Sequence, residues 1–473
     1  MAWLALSGPA VAGDPSWSRF PPADVTKMTC NWSIPVCVNH QVTSVPHRPA
    51  KTLETTATTL AIGALAAFCA YFSMYAFRKP FAAATFAGQA PLIFDLDYKT
   101  TLLIAQVLGY ALSKLIGIRV IAEFGRSGRA AAILMLIGLS WVALLLFAVV
   151  PAPWNIAFLF LNGLPLGMIW GLVFSYIEGR RASEAMGAIL CASFILSSGV
   201  VKSVAMLVMG WGVSDYWMPG VTGALFIPLL LLSIWLLERL PPPDARDVVE
   251  RTARVPMLRG ERAAFLRAHG VAMLLLVSGY VLLTAIRDFR DNFAAELWTS
   301  MGYGGVASVF SASELPVALA ALAALGALML IRDNMRALLA MHGIILAGAA
   351  LLGLSTLAFQ AGLLAPLPYM ILTGAGLYFA YTPFNAMLFD RMIAATGHAG
   401  NAGFLIYIAD SSGYVGSVAL LLYRSLAAPS MDWLPFYMNS AYVTAGIVAV
   451  LTLCSAAWFQ LHVGKHYARR ATA

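Results

Sequence analysis

TLAIGALAAFCAYFSMYAF (residues 59–77) is an apolar run of membrane-spanning length, and Arg78-Lys79 and the apolar PFAAATF (80–86) follow it directly. The pattern returns in the second half of the chain, where Arg290-Asp-Asn-Phe-Ala-Ala-Glu-Leu-Trp298 echoes Arg78-Lys-Pro-Phe-Ala-Ala-Ala-Thr-Phe86. A charge inside hydrocarbon costs roughly 2.5–3.5 kcal/mol per Arg on insertion scales, so such residues are rare and usually functional. Their duplication points to one symmetric site built from two halves.

Composition excludes an ordinary soluble protein: 60 % of the 473 residues are hydrophobic, 11 % are charged and the mean hydropathy is +0.79. Twelve apolar runs can each cross roughly 30 Å of hydrocarbon. They are 57–87, 100–122, 129–150, 154–177, 185–209, 218–237, 269–295, 304–331, 335–359, 366–388, 400–423 and 436–461. Helical lengths without strand alternation predict an all-α, polytopic membrane protein.

The net charge of +8 is explained by its placement. Arg126 and Arg129 lie between spans 2 and 3, Arg180 and Arg181 between 4 and 5, and seven arginines from Arg239 to Arg267 between 6 and 7. Arg332 and Arg336 follow span 8, Arg391 follows span 10, and Lys465, Arg469 and Arg470 close the chain. The links after spans 3, 5 and 9 carry no Lys or Arg. This asymmetry predicts cytoplasmic termini and even-numbered loops, as in a bacterial inner membrane, and removes any need for a nucleic-acid partner. Cys69, Cys191 and Cys454 fall in separate spans and read as small hydrophobes, while Cys30 and Cys37 lie in the leading segment. There is no CxxC and no metal-ligand spacing, so neither metal nor cofactor is expected.

Residues 1–56 read as a disordered extension, 57–237 as a first six-helix half, 238–268 as an Arg- and Pro-rich cytoplasmic linker, 269–461 as a second half and 462–473 as a tail. The halves match again in spans 5 and 11, where Ser197-Ser-Gly-Val-Val-Lys-Ser-Val-Ala-Met-Leu207 parallels Ser411-Ser-Gly-Tyr-Val-Gly-Ser-Val-Ala-Leu-Leu421. Both repeats join spans of equal rank and orientation, so the repeat axis runs along the membrane normal, an arrangement similar to that of the two major facilitator halves.

Two readings of Arg78 and Lys79 stand side by side. Span 1 ends at Phe77 and the pair snorkels to headgroups, or a tilted helix continues to about Phe86 with Pro80 as a kink and leaves Arg78 inside. Lys114, past the middle of span 2, carries the same choice. In span 7, Arg287 and Arg290 share a face, and Arg287 and Asp291 are spaced to pair locally. Glu314 in span 8 and Asp410 in span 11 are expected as counter-ions to Arg287 or Arg290, or as protonatable coupling sites. Lys202 is a weaker interior candidate. Tyr71, Tyr75, Tyr110, Trp170, Tyr280, Asn385 and Tyr414 are candidate hydrogen-bonding cavity residues, against the alternative of plain packing.

Tyr71-Phe-Ser-Met-Tyr-Ala-Phe-Arg78-Lys79-Pro-Phe81, Gly109-Tyr-Ala-Leu-Ser-Lys114 and Phe160-Leu-Asn-Gly-Leu-Pro-Leu-Gly-Met-Ile-Trp-Gly171 together resemble the organophosphate:phosphate antiporter branch of the major facilitator superfamily. The resemblance covers roughly residues 58–460 and implies that Arg78 binds substrate phosphate with a symmetry-related arginine of span 7. That partner is Arg290, with Arg287 as rival, and Lys114 holds the matching lysine position. The family's span-5 histidine is missing; Cys191-Ala-Ser-Phe194 stands there. The chain also looks like a bacterial facilitator-like family known only as a domain of unknown function.

These features predict a secondary transporter of a small organic anion, a phosphate ester or carboxylate clamped by pseudo-symmetric arginines, with protons or phosphate as counter-ion. A monomer in the lipid bilayer is expected. The alternative is a non-transporting receptor for a phosphorylated metabolite on the same fold. No P-loop and no nucleophile–base spacing appear, so an enzyme is not expected.

Overall fold

The computed structural model describes residues 57–464, except 87, 90–95, 124–127, 179, 181, 243–258 and 398–401. The expected N-terminal extension, most of the arginine-rich linker and the tail beyond 464 lie outside the described residues. Among the described residues the helices follow one another as twelve rods: α1 (Ala57–Tyr75), α2 (Tyr98–Glu123), α3 (Arg129–Val149), α4 (Ile156–Leu166, then Ile169–Ile177), α5 (Ser183–Gly210) and α6 (Met218–Leu225, then Ile227–Glu238). The second set is α7 (Arg259–Asn292, then Ala294–Ser300), α8 (Ser308–Met329), α9 (Asn334–Gln360), α10 (Pro366–Ala386, then Leu388–Thr396), α11 (Ala402–Ala427) and α12 (Trp433–Phe459). No strand occurs among the described residues. Helix α7 starts inside the arginine-rich link, at Arg259, ahead of the apolar run.

Counted over the described residues, eight of these helices are long and apolar enough to cross a membrane, nine if the two pieces of α6, bent by 42°, form one span. Helices α2, α10 and α11 carry polar groups of the interior: Gln106 and Lys114, Tyr378 with Tyr381 and Asn385, and Asp410. A backbone in hydrocarbon must satisfy its own hydrogen bonds, which helices do internally. The lipid-facing surface is accordingly apolar, with Leu65, Met135, Leu274, Leu354 and Val415 among its exposed residues.

The packing repeats with the sequence. Within the first six rods α1 packs on α5 and α6, α2 on α4, and α3 on α4. Within the last six, α7 packs on α11 and α12, α8 on α10, and α9 on α10. The two sets meet along α5 with α8 and α2 with α11, contacts that the same repeat relates to each other. These are two pseudo-symmetric six-helix halves, and the buried polar groups collect on the faces where they meet.

Close approach there depends on glycine. A Cβ on Gly199 of α5 would lie 2.5 Å from the Phe310 carbonyl oxygen and 2.7 Å from Cγ of Glu314, both on α8. The Ser203 hydroxyl, one turn further along, donates to the Ala307 carbonyl at 2.7 Å and closes the same seam.

Candidate functional site

Helix α1 ends at Tyr75, and after a turn the chain continues as a 3-10 segment, Pro80–Ala83. Pro80 has no N–H to extend the helix, so the last carbonyls need other donors. Asn162 of α4 donates to the Phe77 carbonyl at 2.9 Å, and Gln106 of α2 donates to that of Arg78 at 2.9 Å. Gln106 also donates to the Asn162 side chain at 2.8 Å, which locks the two caps together. Neither sequence reading of this segment holds in full: the helix does not run on to Phe86, yet Arg78 is buried, only 8 % exposed, inside a break. Asn162→Ala is expected to leave the Phe77 carbonyl without a donor, at about 1–3 kcal/mol for a buried unpaired group. A lowered melting temperature in detergent checks this.

The break presents the Arg78 guanidinium to aromatic faces. Its central carbon lies 3.8 Å from the ring centre of Tyr110 and 5.8 Å from that of Tyr75. Among the described residues no carboxylate pairs with it, and its Nε is buried without an acceptor. Stacking on a ring attracts a cation through the ring quadrupole but satisfies none of the guanidinium N–H donors.

The arginines of α7 are engaged. Arg290 pairs with Glu314 of α8 at 2.7 Å and donates to the Met370 carbonyl of α10 at 2.8 Å. Arg287 pairs with Asp288 at 2.6 Å and lies 4.0 Å over the Tyr381 ring, while Ser417 of α11 donates to Asp288 at 2.8 Å. The expected local pair of Arg287 with Asp291 does not form, because Asp291 is taken from the other half. Lys79 reaches it at 2.5 Å, and Lys202 and Ser198 of α5 also bind it. Lys79 also donates to Asn292 at 2.7 Å. In the repeat, Lys79 and Asp291 are equivalent positions, each following its arginine. A direct pair between equivalent positions lies on the pseudo-two-fold axis.

Of the two acids expected as partners of the arginines, Glu314 is one and Asp410 is not. Asp410 pairs with Lys114, which joins α11 to α2, and accepts from the Tyr280 hydroxyl. The choice follows from packing: α2 lies against α11, whereas the arginines of α7 turn toward α8 and α10. Around this pair, the Tyr280 and Tyr381 hydroxyls are 2.9 Å apart and Asn385 donates to Tyr280 at 3.2 Å. Tyr110 and Tyr414 meet edge to face at 5.5 Å, with the Lys114 ammonium 5.6 and 5.4 Å from their ring centres. Tyr71 packs edge-on against Tyr75 and Trp170, at 5.6 and 5.0 Å. Tyr75 lies within the electrostatic reach of both Arg78 and Arg287.

Two charged residues escaped the sequence reading. Lys99, 1 % exposed at the start of α2, pairs with Glu296 of the second α7 segment at 2.5 Å and donates to the Ala82 carbonyl at 2.9 Å. Glu296 sits within the repeated motif and was visible as its one departure from Phe-Ala-Ala-Ala; Lys99 lies just ahead of the apolar run that begins at residue 100. Beside this pair lies a cavity of about 180 Å³ walled by Ala83, Ala295, Trp298 and Phe310. Among the described residues no group of His, Cys, Asp or Glu is placed to hold a metal ion.

A family model described as a family of unknown function (DUF5690) matches residues 80–462. No curated protein matches the chain. Several solved structures share its fold. A D-xylose-proton symporter aligns at 13 % identity and a TM-score of 0.51 over 84 % of this chain and 96 % of its own. The nucleoside transporter NupG aligns at 14 % identity and a TM-score of 0.52, over 85 % and 99 %. A bacterial homologue of the human drug peptide transporters PepT1 and PepT2 aligns at 13 % identity and a TM-score of 0.55, over 85 % and 97 %. At these identities the likeness is one of fold, that of the major facilitators.

Proposed function

The chain belongs to the DUF5690 family of unknown function, and we propose that it is a secondary membrane transporter carrying a small organic anion, a phosphate ester or carboxylate, by alternating access. The observation that carries this reading is Arg78, a buried guanidinium stacked on Tyr110 with no carboxylate partner among the described residues. A guanidinium presents planar donors that engage two oxygens of a carboxylate or phosphate at once. An arginine kept charged in a low-dielectric interior without a counter-ion is best explained by an anion that comes and goes.

Arg287 is the better second arm of the site. Its guanidinium lies over Tyr381 and shares the surroundings of Tyr75 with Arg78, whereas Arg290 is already bound by Glu314 and the Met370 carbonyl. Lys114 assists, and Asp410 pairs with it. Exchange of Asp410 for a substrate anion, or its protonation, would free the lysine and loosen α2 from α11, so Asp410 is the coupling residue. The tyrosines Tyr71, Tyr75, Tyr280 and Tyr414, with Asn385, supply the walls and hydrogen bonds. The resemblance of the Arg78 and Lys114 motifs to the organophosphate:phosphate antiporters supports a phosphate-bearing substrate. The arginine-rich even-numbered loops support cytoplasmic termini in a bacterial inner membrane, which places the Lys79, Lys99, Asp291 and Glu296 end away from the cytoplasm.

Purified full-length protein in liposomes loaded with phosphate tests the reading, with labelled phosphate and a panel of phosphate esters and carboxylates offered outside. Counterflow of at least one anion is expected, abolished in Arg78→Ala and several-fold weaker in Lys114→Ala. Binding without flux would identify a receptor instead, and full flux in Arg78→Ala would sink the site.

A further inference from the structure

The charges between the halves are divided unequally. Among the described residues, the first six rods contribute Arg78, Lys79, Lys99, Lys114 and Lys202 to the buried part of this region and no equally buried carboxylate, Asp97 beside Lys99 being partly exposed. The last six contribute five carboxylates, Asp288, Asp291, Glu296, Glu314 and Asp410, and two cations, Arg287 and Arg290. None of the twelve groups is more than 14 % exposed. Seven cations thus face five carboxylates, and the pairing locates the surplus of two. Arg78 has no carboxylate, and the single carboxylate of Asp291 serves both Lys79 and Lys202. Arg78 and Lys79 are consecutive, so both surplus charges belong to one neighbourhood.

Buried charge is tolerated when it is paired and costly when it is not. Arginine cannot shed its proton to escape that cost. One negative charge arriving beside Arg78 would still leave the interior positive. Two would neutralise it.

We infer that the ligand of this site is a dianion, a phosphate monoester or a dicarboxylate, and not a monocarboxylate, a phosphate diester or a neutral solute. This deepens the proposed anion transport and rests on it. The two ligand classes share the relevant chemistry, two negative charges on oxygens in a compact group, which Arg78 meets with paired N–H donors and the lysines with point charge.

Matched probes on the purified full-length protein test the charge separately from the site. Phenyl phosphate and phenyl sulfate have nearly the same shape, and only the first becomes doubly charged near neutral pH, its second pKa being about 6. Phthalate and benzoate form a second pair. Thermal shift reads affinity, since a ligand of the folded state alone raises apparent stability. At pH 7.5 each dianion is expected to bind at least tenfold more tightly than its monoanionic counterpart. The phenyl phosphate advantage should shrink about tenfold at pH 5, while phenyl sulfate binding stays level. Equal affinity within both pairs overturns the dianion and leaves the anion site standing. No stabilisation by any of the four overturns the site and the inference together. A ligand-free measurement adds an independent check. Arg78→Met should raise the melting temperature by removing an uncompensated charge, whereas Lys99→Met, which orphans Glu296, should lower it. A fall in Arg78→Met equal to that in Lys99→Met overturns the surplus.

Discussion

Asp291→Leu is expected to be the most destabilising single substitution between the two halves. One carboxylate neutralises two buried ammonium groups there, those of Lys79 and Lys202, and it also accepts from Ser198. Removing one partner of an ordinary buried ion pair costs about 3–5 kcal/mol, because the other charge is left without compensation. Here two are left, so the loss should reach at least that range. The two amines, both in the first half, also repel each other and lose the carboxylate that ties them to the second half. Thermal unfolding in detergent measures the effect. The triple variant Lys79→Met, Lys202→Met, Asp291→Leu removes all three charges and should recover most of the stability, since a buried pair replaced by apolar groups of similar size is often neutral or better. A single variant that melts within a degree of the wild type would mean that this carboxylate does not join the halves.

The second large effect is expected at Gly199. Leucine at this position would drive its Cβ into the Phe310 carbonyl oxygen and the Glu314 side chain, at 2.5 and 2.7 Å. The oxygen is backbone and cannot rotate aside, so α5 and α8 must separate. Ser203 then loses its bond to Ala307, and the seam at this end of the bundle opens. The variant should fold, because each half keeps its own packing, but it should lose at least tenfold in flux by failing to close this end. A membrane-impermeant maleimide directed at Ser311→Cys, a position that touches Ser203 in the closed seam, should label faster in the Gly199→Leu background. Unchanged labelling and unchanged flux together would show that the seam does not need to close during transport.

Much of the architecture was legible in the residues themselves. Apolar runs of spanning length, the basic loops and two internal repeats were enough to predict twelve rods in two equivalent halves. Hydropathy acts through local composition, and a repeat in sequence produces the same packing twice. The burial of Arg78 was also legible, because apolar residues flank it on both sides. The break that holds it was legible only as a kink at Pro80. Its caps, Gln106 and Asn162, looked like ordinary polar residues within other spans.

Ion-pair partners were not legible in the same way. The sequence rules for charge pairs concern residues three or four apart on one helix, and on that basis Arg287 and Asp291 were an attractive pair. In the structure Arg287 turns to Asp288 and Tyr381, and Asp291 binds lysines from the opposite half. Lys99 was missed for a related reason. At the edge of an apolar run it has the signature of an interfacial lysine, and only the folded-back segment around Ala82 and Glu296 buries it.

By itself the sequence determined the membrane class, the twofold repeat and the presence of cationic groups at depth, because each depends on the transfer of residues from water to hydrocarbon. Tertiary structure alone decided which of those cations are compensated. That outcome depends on the few ångströms separating side chains of different rods, set by the crossings of α5 with α8 and of α2 with α11. The crossing of α2 with α11 gave Lys114 the carboxylate of Asp410, Lys202 of α5 found Asp291 of α7, Arg290 found Glu314 within its own half, and Arg78 was left stacked on Tyr110 without a carboxylate.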